Sequence, residues 1–171
     1  MFLSRSASSI LIDLNKKQLF FKQANRPTQS YSIAIGKAST PSPIGQWQII
    51  NKKILSEDSV FGSRWLGLSA KGYGIHGTNN PASIGTAVSS GCIRMHNQDI
   101  EQIFPLVSLG TAVSIVASAG DENYSSFHLV QAGDTLWSIA QQYHLDFTAL
   151  LAANPQINPK QLLIGTTVIL P

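Results

Sequence analysis

Apolar and polar residues alternate along most of the first 118 residues, a period that predicts strands. In SILIDLNKKQLFFK, residues 9–22, the alternation lies on both sides of a polar NKK and predicts a hairpin. Further strands are predicted for SYSIAIGK (30–37), GQWQIINKKIL (45–55), RWLGLS (64–69), YGIHG (73–77) and GTAVSIVAS (110–118). Only NQDIEQIFPLVS (97–108) has helical spacing, for about two turns. We therefore expect residues 1–118 to form a mainly β domain.

The pattern changes after residue 118. The polar stretch AGDENYSS, residues 119–126, has no periodicity and is predicted to be a linker. Residues 127–171 then predict a short strand, a helix starting near Thr135, a second helix in DFTALLAANP and a last strand in TTVIL. We expect this part to be a small α+β module with the order β-α-α-β.

Composition excludes some classes of function. The chain has 171 residues, of which 43% are hydrophobic, enough for packed cores. Twelve Lys and Arg against nine Asp and Glu leave a net charge of +3, too weak for a nucleic-acid binder. The first residues show no recognisable signal peptide, and no stretch reaches the roughly 20 apolar residues of a membrane span.

The single cysteine, Cys92, is the main candidate for chemistry. A thiol with a pKa of about 8.5 needs a base or a positive field to react near neutrality, and His76, sixteen residues earlier, can supply the base. Gly91 allows a close backbone approach in which amide N–H groups could stabilise an oxyanion. In an extended segment Arg94 shares a side with Cys92, where it could bind a substrate carboxylate or favour the thiolate.

Two other readings are open on the residues alone. Cys92 could be a buried small apolar residue and His76 a structural polar one. Cys92 and His96, four residues apart, could also bind zinc together with His76, although Gly91 favours a loop and no Cys-x-x-Cys pair is present.

The segment YGIHGTNNPASIGTAVSSGCIRMHNQD (73–99) resembles the signature of the L,D-transpeptidase catalytic domain, a His-Gly pair followed by Ser-x-Gly-Cys-x-Arg. SYSIAIGKASTPSPIGQWQI also resembles this family, and the resemblance covers roughly residues 8–117. It implies a β-sandwich-like fold. Many members have His directly before the Gly of the cysteine motif, where this chain has Ser90.

The resemblance implies a two-step acyl transfer on peptidoglycan stem peptides. Cys92, activated by His76, would release a terminal D-alanine and form a thioester, which the amine of a neighbouring stem resolves into a 3-3 cross-link. Water as the acceptor would make the protein a carboxypeptidase. The residues assigned to this site are catalytic Cys92, His76, Arg94 and Gly91, and substrate-binding Tyr73, Gly77, Ser89 and Ser90.

The segments HLVQAGDTLWSIAQQY, LLAANP and LLIGTTVILP resemble the lysin-motif (LysM) family over the whole module. The resemblance implies binding of glycans that contain N-acetylglucosamine in a shallow groove. The residues assigned to this groove are Gly133, Asp134, Thr135, Leu136, Asn154, Pro155 and Ile157. Any of these could instead cap a helix or fill a core. Neither resemblance implies a cofactor. Together they suggest a protein of the cell wall or of a spore envelope. The alternative function is a wall-binding protein without catalysis.

Overall fold

The structure is a computed structural model that describes residues 8–23, 26–118 and 127–171. Its strands are β1 (Ser8–Asp13), β2 (Gln18–Gln23), β3 (Gln29–Ser32), β4 (Ile35–Gly36), β5 (Gly45–Ile54), β6 (Arg64–Leu68), β7 (Gly74–His76), β8 (Ala87–Ser89), β9 (Ile93–Arg94), β10 (Ala112–Val116), β11 (Phe127–Leu129) and β12 (Thr167–Ile169). Its α-helices are α1 (Asn97–Ile103), α2 (Leu136–Gln142) and α3 (Phe147–Ala153). The predicted linker, 119–126, lies outside the described residues.

Eight strands form one mixed sheet with the order β3-β2-β1-β10-β5-β6-β7-β9. Two of its pairs are parallel, β1 with β10 and β7 with β9, and the others are antiparallel. The predicted hairpin forms from β1 and β2, and Lys17 in its turn has a φ of 52°. The mainly β fold class is therefore confirmed.

The structure refines two of the predicted elements. The single strand expected over 30–37 is divided into β3 and β4, because the chain leaves the large sheet and β4 pairs with β8 instead. The segment around Cys92 was expected to be a loop, but β8 and β9 lie on either side of it. Both strands are only two or three residues long, too short for a periodicity to be visible.

The main core lies between α1 and the large sheet. It includes Ile10, Leu66, Ile75 and Ile100, each fully buried. Lys52 of β5 donates hydrogen bonds to the carbonyl group of Phe104, the C-cap residue of α1, at 2.5 Å and to that of Val107, in the segment after the helix, at 2.6 Å. Carbonyl groups at a helix end lack partners within the helix, so a cation there stabilises it.

The second unit has the predicted order β-α-α-β and a core of its own between α2, α3 and β12. Thr135 caps α2, and its side chain and that of Ser138 form a reciprocal capping box. A third cluster joins Leu11, Phe20 and Val116 of the large sheet to Phe127 and Ile169 of β11 and β12. The two units therefore share buried apolar contacts.

Candidate active site

The pairing of β7 with β9 brings the predicted catalytic residues to one face of the sheet. Ile75 is paired with Ile93 and His76 with Arg94. Both isoleucines point into the core, so His76 and Arg94 face the opposite side. Cys92, two residues before Arg94, takes that same side by alternation. The predicted common side of Cys92 and Arg94 thus follows from the strand register.

The loop before Cys92 is held by Ser89. The Ser89 hydroxyl donates to the Cys92 carbonyl at 2.6 Å and accepts from the Gly91 N–H at 3.0 Å. Gly91 has a φ of 110°, and a Cβ there would lie 2.4 Å from the ring of Tyr73. Gly91 is therefore required both by the backbone conformation and by Tyr73. Ser90 is exposed.

His76 is only 2% exposed, and its Nδ1 donates to the Gly77 carbonyl at 2.5 Å. This bond leaves Nε2 of a neutral ring free to accept a proton. Two aromatic rings cover the imidazole, Trp65 stacked at 5.5 Å and Phe61 edge-on at 5.1 Å between ring centroids. Neither Trp65 nor Phe61 is among the site residues predicted from the sequence.

Asn97 holds the two loops beside His76. Its Oδ1 accepts from the backbone N–H of Ser63 at 3.1 Å and of Thr78 at 3.0 Å. A Cβ on Gly62 or Gly77 would lie 2.2 or 2.1 Å from the same oxygen. The asparagine thereby fixes the backbone at Gly77, whose carbonyl orients His76. The only sequence signals for this contact are that Asn97 lies within the segment 73–99 and that both loops contain glycine.

Burial keeps the thiol and the imidazole uncharged. The pKa of His76 is lowered to about 4, mainly by desolvation and also by the Arg94 charge, while the carbonyl groups of Gly77 and Phe61 act in the other direction. Desolvation also raises the pKa of Cys92, against the Gly74 N–H and the Arg94 charge, which lower it. At neutral pH the site therefore holds a thiol and a neutral base rather than an ion pair.

Arg94 provides the positive charge at this face. Its side chain is half-buried, and its Nε has no hydrogen-bond partner within the residues that the structure describes. A buried guanidinium N–H without a partner is unfavourable and suited to binding an anion.

The zinc alternative lacks a ligand cluster. Within residues 8–23, 26–118 and 127–171, no three His, Cys, Asp or Glu side chains lie close enough together to hold a metal ion. His96 instead precedes α1 as its N-cap residue. In the same described ranges, no helix is long and apolar enough to cross a membrane.

The residues assigned to the glycan groove fall into two groups. Gly133, Thr135 and Pro155 are exposed, whereas Leu136 and Ile157 are 2% and 8% exposed and belong to the module's core. The exposed group could contact a sugar, and the buried group could only shape the surface beneath it.

Asp134 and Asn154 are held by internal hydrogen bonds. His128 Nε2 lies 2.7 Å from Asp134 Oδ2, and the Gln131 N–H donates to the same oxygen. Desolvation raises the pKa of Asp134, but these two partners outweigh it and the net pKa is lowered. Asn154 is 1% exposed, and its amide makes three bonds to the backbone of Leu150 and Ile169. Glycan binding by these residues stays a prediction.

Comparison with known proteins gives two family matches. The family model of the L,D-transpeptidase catalytic domain matches residues 7–115, and that of the LysM domain matches residues 128–171. A putative L,D-transpeptidase, YkuD of Bacillus subtilis (strain 168), is 48% identical over 106 residues, which are 62% of this chain and 64% of that protein. The chain thus spans less than two thirds of that relative's length.

Solved structures show a similar fold. An L,D-transpeptidase from Mycobacterium smegmatis superposes with a TM-score of 0.58 at 16% identity, over 66% of this chain and 59% of that one. The LD transpeptidase LdtMt1 in complex with imipenem superposes with a TM-score of 0.56 at 18% identity, over 65% of this chain and 59% of that one. At these identities the similarity concerns the fold.

Proposed function

Since the chain belongs to the L,D-transpeptidase family over residues 7–115 and carries a LysM domain over residues 128–171, we propose that it is a peptidoglycan L,D-transpeptidase with Cys92 as its nucleophile. The observation that supports this most directly is the placement of His76, Cys92 and Arg94 on one sheet face. A half-buried, uncharged thiol on the same sheet face as an uncharged base is suited to acyl transfer.

The first step starts from the neutral pair. As the Cys92 sulfur attacks the carbonyl carbon at the L-centre of a diamino acid, His76 Nε2 takes the thiol proton. The carbonyl groups of Gly77 and Phe61, which favour the protonated ring, stabilise the imidazolium formed at that moment. Because the Gly91 N–H already donates to Ser89, we assign the oxyanion contact to the Cys92 N–H. In this proposal Arg94 binds the carboxylate of the departing D-alanine.

Collapse of this intermediate breaks the bond to the terminal D-alanine. The imidazolium returns its proton to the leaving amine, and a thioester on Cys92 remains. The amine of a neighbouring stem then attacks the thioester, giving its proton to His76, and a 3-3 cross-link forms while the thiol is regenerated. Water in place of that amine would give a carboxypeptidase, and an amine on a protein would make the chain an anchoring enzyme.

The LysM domain would hold the enzyme on its polymeric substrate. Binding of glycan strands that contain N-acetylglucosamine raises the concentration of stem peptides near Cys92 without any new contact at the catalytic site. We therefore expect the protein at the cell wall or in a spore envelope. Fractionation of growing and sporulating cells tests the location, and recovery from the cytoplasm alone would contradict it.

Intact-mass spectrometry tests the catalytic proposal. Wild type and Cys92→Ala are incubated separately with a tetrapeptide-stem muropeptide and with imipenem, the ligand of one structural neighbour. We expect a covalent adduct and released D-alanine from wild type alone, and the product mass separates a cross-linked dimer from a hydrolysed stem. Folded wild type that forms no adduct and turns over no substrate would instead indicate a wall-binding protein without catalysis.

A titration followed by NMR tests the glycan groove. On addition of an N-acetylglucosamine oligomer, we expect the amide signals of Gly133 and Thr135 to shift. The backbone amides of exposed β5 residues, such as Lys53, serve as the internal control. Shifts spread evenly over both units, or absent from the module, would refute the groove.

A further inference from the structure

Trp65 lies flat on the sheet face that carries the active site. It pairs with His76 across β6 and β7, and the next pair on that face is Gly67 with Gly74. A Cβ on Gly74 would lie 2.5 Å from the Trp65 ring. Glycine at this position therefore leaves the space that the indole occupies beside His76.

Asn51 of β5 fixes the far end of the indole. The Trp65 Nε1–H donates to Asn51 Oδ1 at 3.0 Å. Asn51 pairs with Gly67, where a Cβ would lie 2.4 Å from the same oxygen. Gly67 and Gly74 thus leave room for the indole, which the exposed Asn51 holds by a hydrogen bond. The same indole contacts the imidazole of the proposed base.

Two aromatic rings contact His76. Trp65 is nearly parallel to the imidazole, with an angle of 15° between the planes, and Phe61 stands on edge at 87°. Phe61 and Trp65 also touch each other edge to face, at 5.2 Å between centroids. The imidazole therefore has an aromatic ring against its face and another beside it, and the backbone carbonyl groups of Gly77 and Phe61 also act on it.

We propose that Trp65, tethered by Asn51, is a positioning residue that holds the plane of His76 and excludes water from it, so that the ring is neutral and ready to accept the thiol proton. This rests on the proposed role of His76 as the base. A Trp that only covered the sheet would not need its indole N–H fixed at a solvent-exposed edge, and its loss would affect stability alone.

The charged and titratable groups around His76 influence the pH at which its ring is protonated. Arg94 and Cys92 face it from β9 and the preceding loop, and Lys53 pairs with Trp65 at the outer side. Arg64 takes the opposite face, where its guanidinium lies 3.9 Å from Glu101. Burial is the largest cause of the lowered His76 pKa, so admission of water should raise that pKa towards its ordinary 6.5.

The test is the rate of acylation by imipenem between pH 4 and 8, measured by intact mass on the full chain. In Trp65→Ala we expect the acid limb of this rate to move up by about one pH unit or more, so that activity at pH 5.5 falls more than at pH 8. Trp65→Phe should keep most of the wild-type profile. In Asn51→Ala the acid limb should lie between those of wild type and Trp65→Ala. Trp137→Ala, an exposed tryptophan of the LysM unit, is the matched control and should leave the profile unchanged.

A second measurement separates this inference from the proposed function. The His76 ring proton signal is titrated by NMR in the same variants, with no substrate present. A raised His76 pKa in Trp65→Ala supports the inference even if wild type is not acylated, an outcome that would refute the proposed function alone. Identical midpoints in all variants, with rates lowered equally at every pH, would overturn the inference. If Trp65→Ala does not fold, Trp65→Phe and Asn51→Ala decide.

Discussion

Protonation of His76 should destabilise the folded chain. The unfolded histidine titrates near 6.5, and the folded one at about 4, because burial disfavours the imidazolium. Above pH 6.5 both states are neutral and the stability is fully present. As the pH falls from 6.5 towards 4, the unfolded state binds a proton that the folded state does not bind, so the free energy of unfolding decreases.

The magnitude follows from that difference. A separation of about 2.5 pH units, at about 1.4 kcal/mol each, gives a loss of about 3 kcal/mol between neutral pH and pH 4. Domains are stable by only about 5–15 kcal/mol, so this loss is readily measured. His76 is suitable for this estimate because it is 2% exposed, and solvent screening is small.

The assay is urea unfolding followed by circular dichroism from pH 7 to pH 4, on wild type and His76→Phe. The variant keeps a buried ring but cannot titrate, and it loses the bond to the Gly77 carbonyl at every pH, which is a constant offset. Carboxylates contribute equally to both proteins, so the difference isolates His76. We expect wild type to lose about 3 kcal/mol relative to the variant. Parallel curves would refute the assignment of a buried, neutral His76.

Three further substitutions test the packing, each by the shift in the urea midpoint. Phe127→Ala removes a 1% exposed ring from the cluster that the two units share and should cost about 3–5 kcal/mol; a loss below about 1 kcal/mol would show that the units do not pack there. Lys52→Met removes the donor to the carbonyl groups of Phe104, the C-cap residue of α1, and of Val107, and should cost about 1–2 kcal/mol, with Lys53→Met, on an exposed side chain, as the control. Asn154→Ala breaks three buried hydrogen bonds and should cost roughly 3 kcal/mol, and a smaller effect than that of Lys52→Met would contradict a stabilising role for these bonds.

Local periodicity identifies elements that depend on their immediate neighbours. The β1 and β2 hairpin and the capped helix α2 both follow from residues a few positions apart, and both were predicted. The parallel pairing of β1 with β10 joins residues about a hundred positions apart, and nothing within either strand indicates its partner. The order of strands in the large sheet was therefore beyond the reach of the sequence.

The candidate site likewise has one feature that the sequence predicts and another that it does not. Alternation along an extended segment was enough to predict that Cys92 and Arg94 share a side. The protonation state was not predictable, because it depends on rings brought from another strand and a loop, Trp65 and Phe61, and on the loops that Asn97 holds. Glycines offer a partial signal: Gly67 and Gly74 lie within predicted strands, where glycine often marks close approach of another group.

The shared cluster changes how the two units should be separated in experiments. Leu11, Phe20 and Val116 are buried at 1%, 7% and 5% exposure, and Phe127 and Ile169 of the LysM unit belong to the same cluster. Deleting residues 127–171 would expose these three apolar side chains, so a loss of turnover would report lost packing as well as lost glycan binding. Point substitutions at exposed groove positions in the full chain leave this cluster intact. Reduced wall binding with unchanged turnover of a soluble muropeptide in such variants would therefore assign the two activities to separate surfaces of one packed molecule.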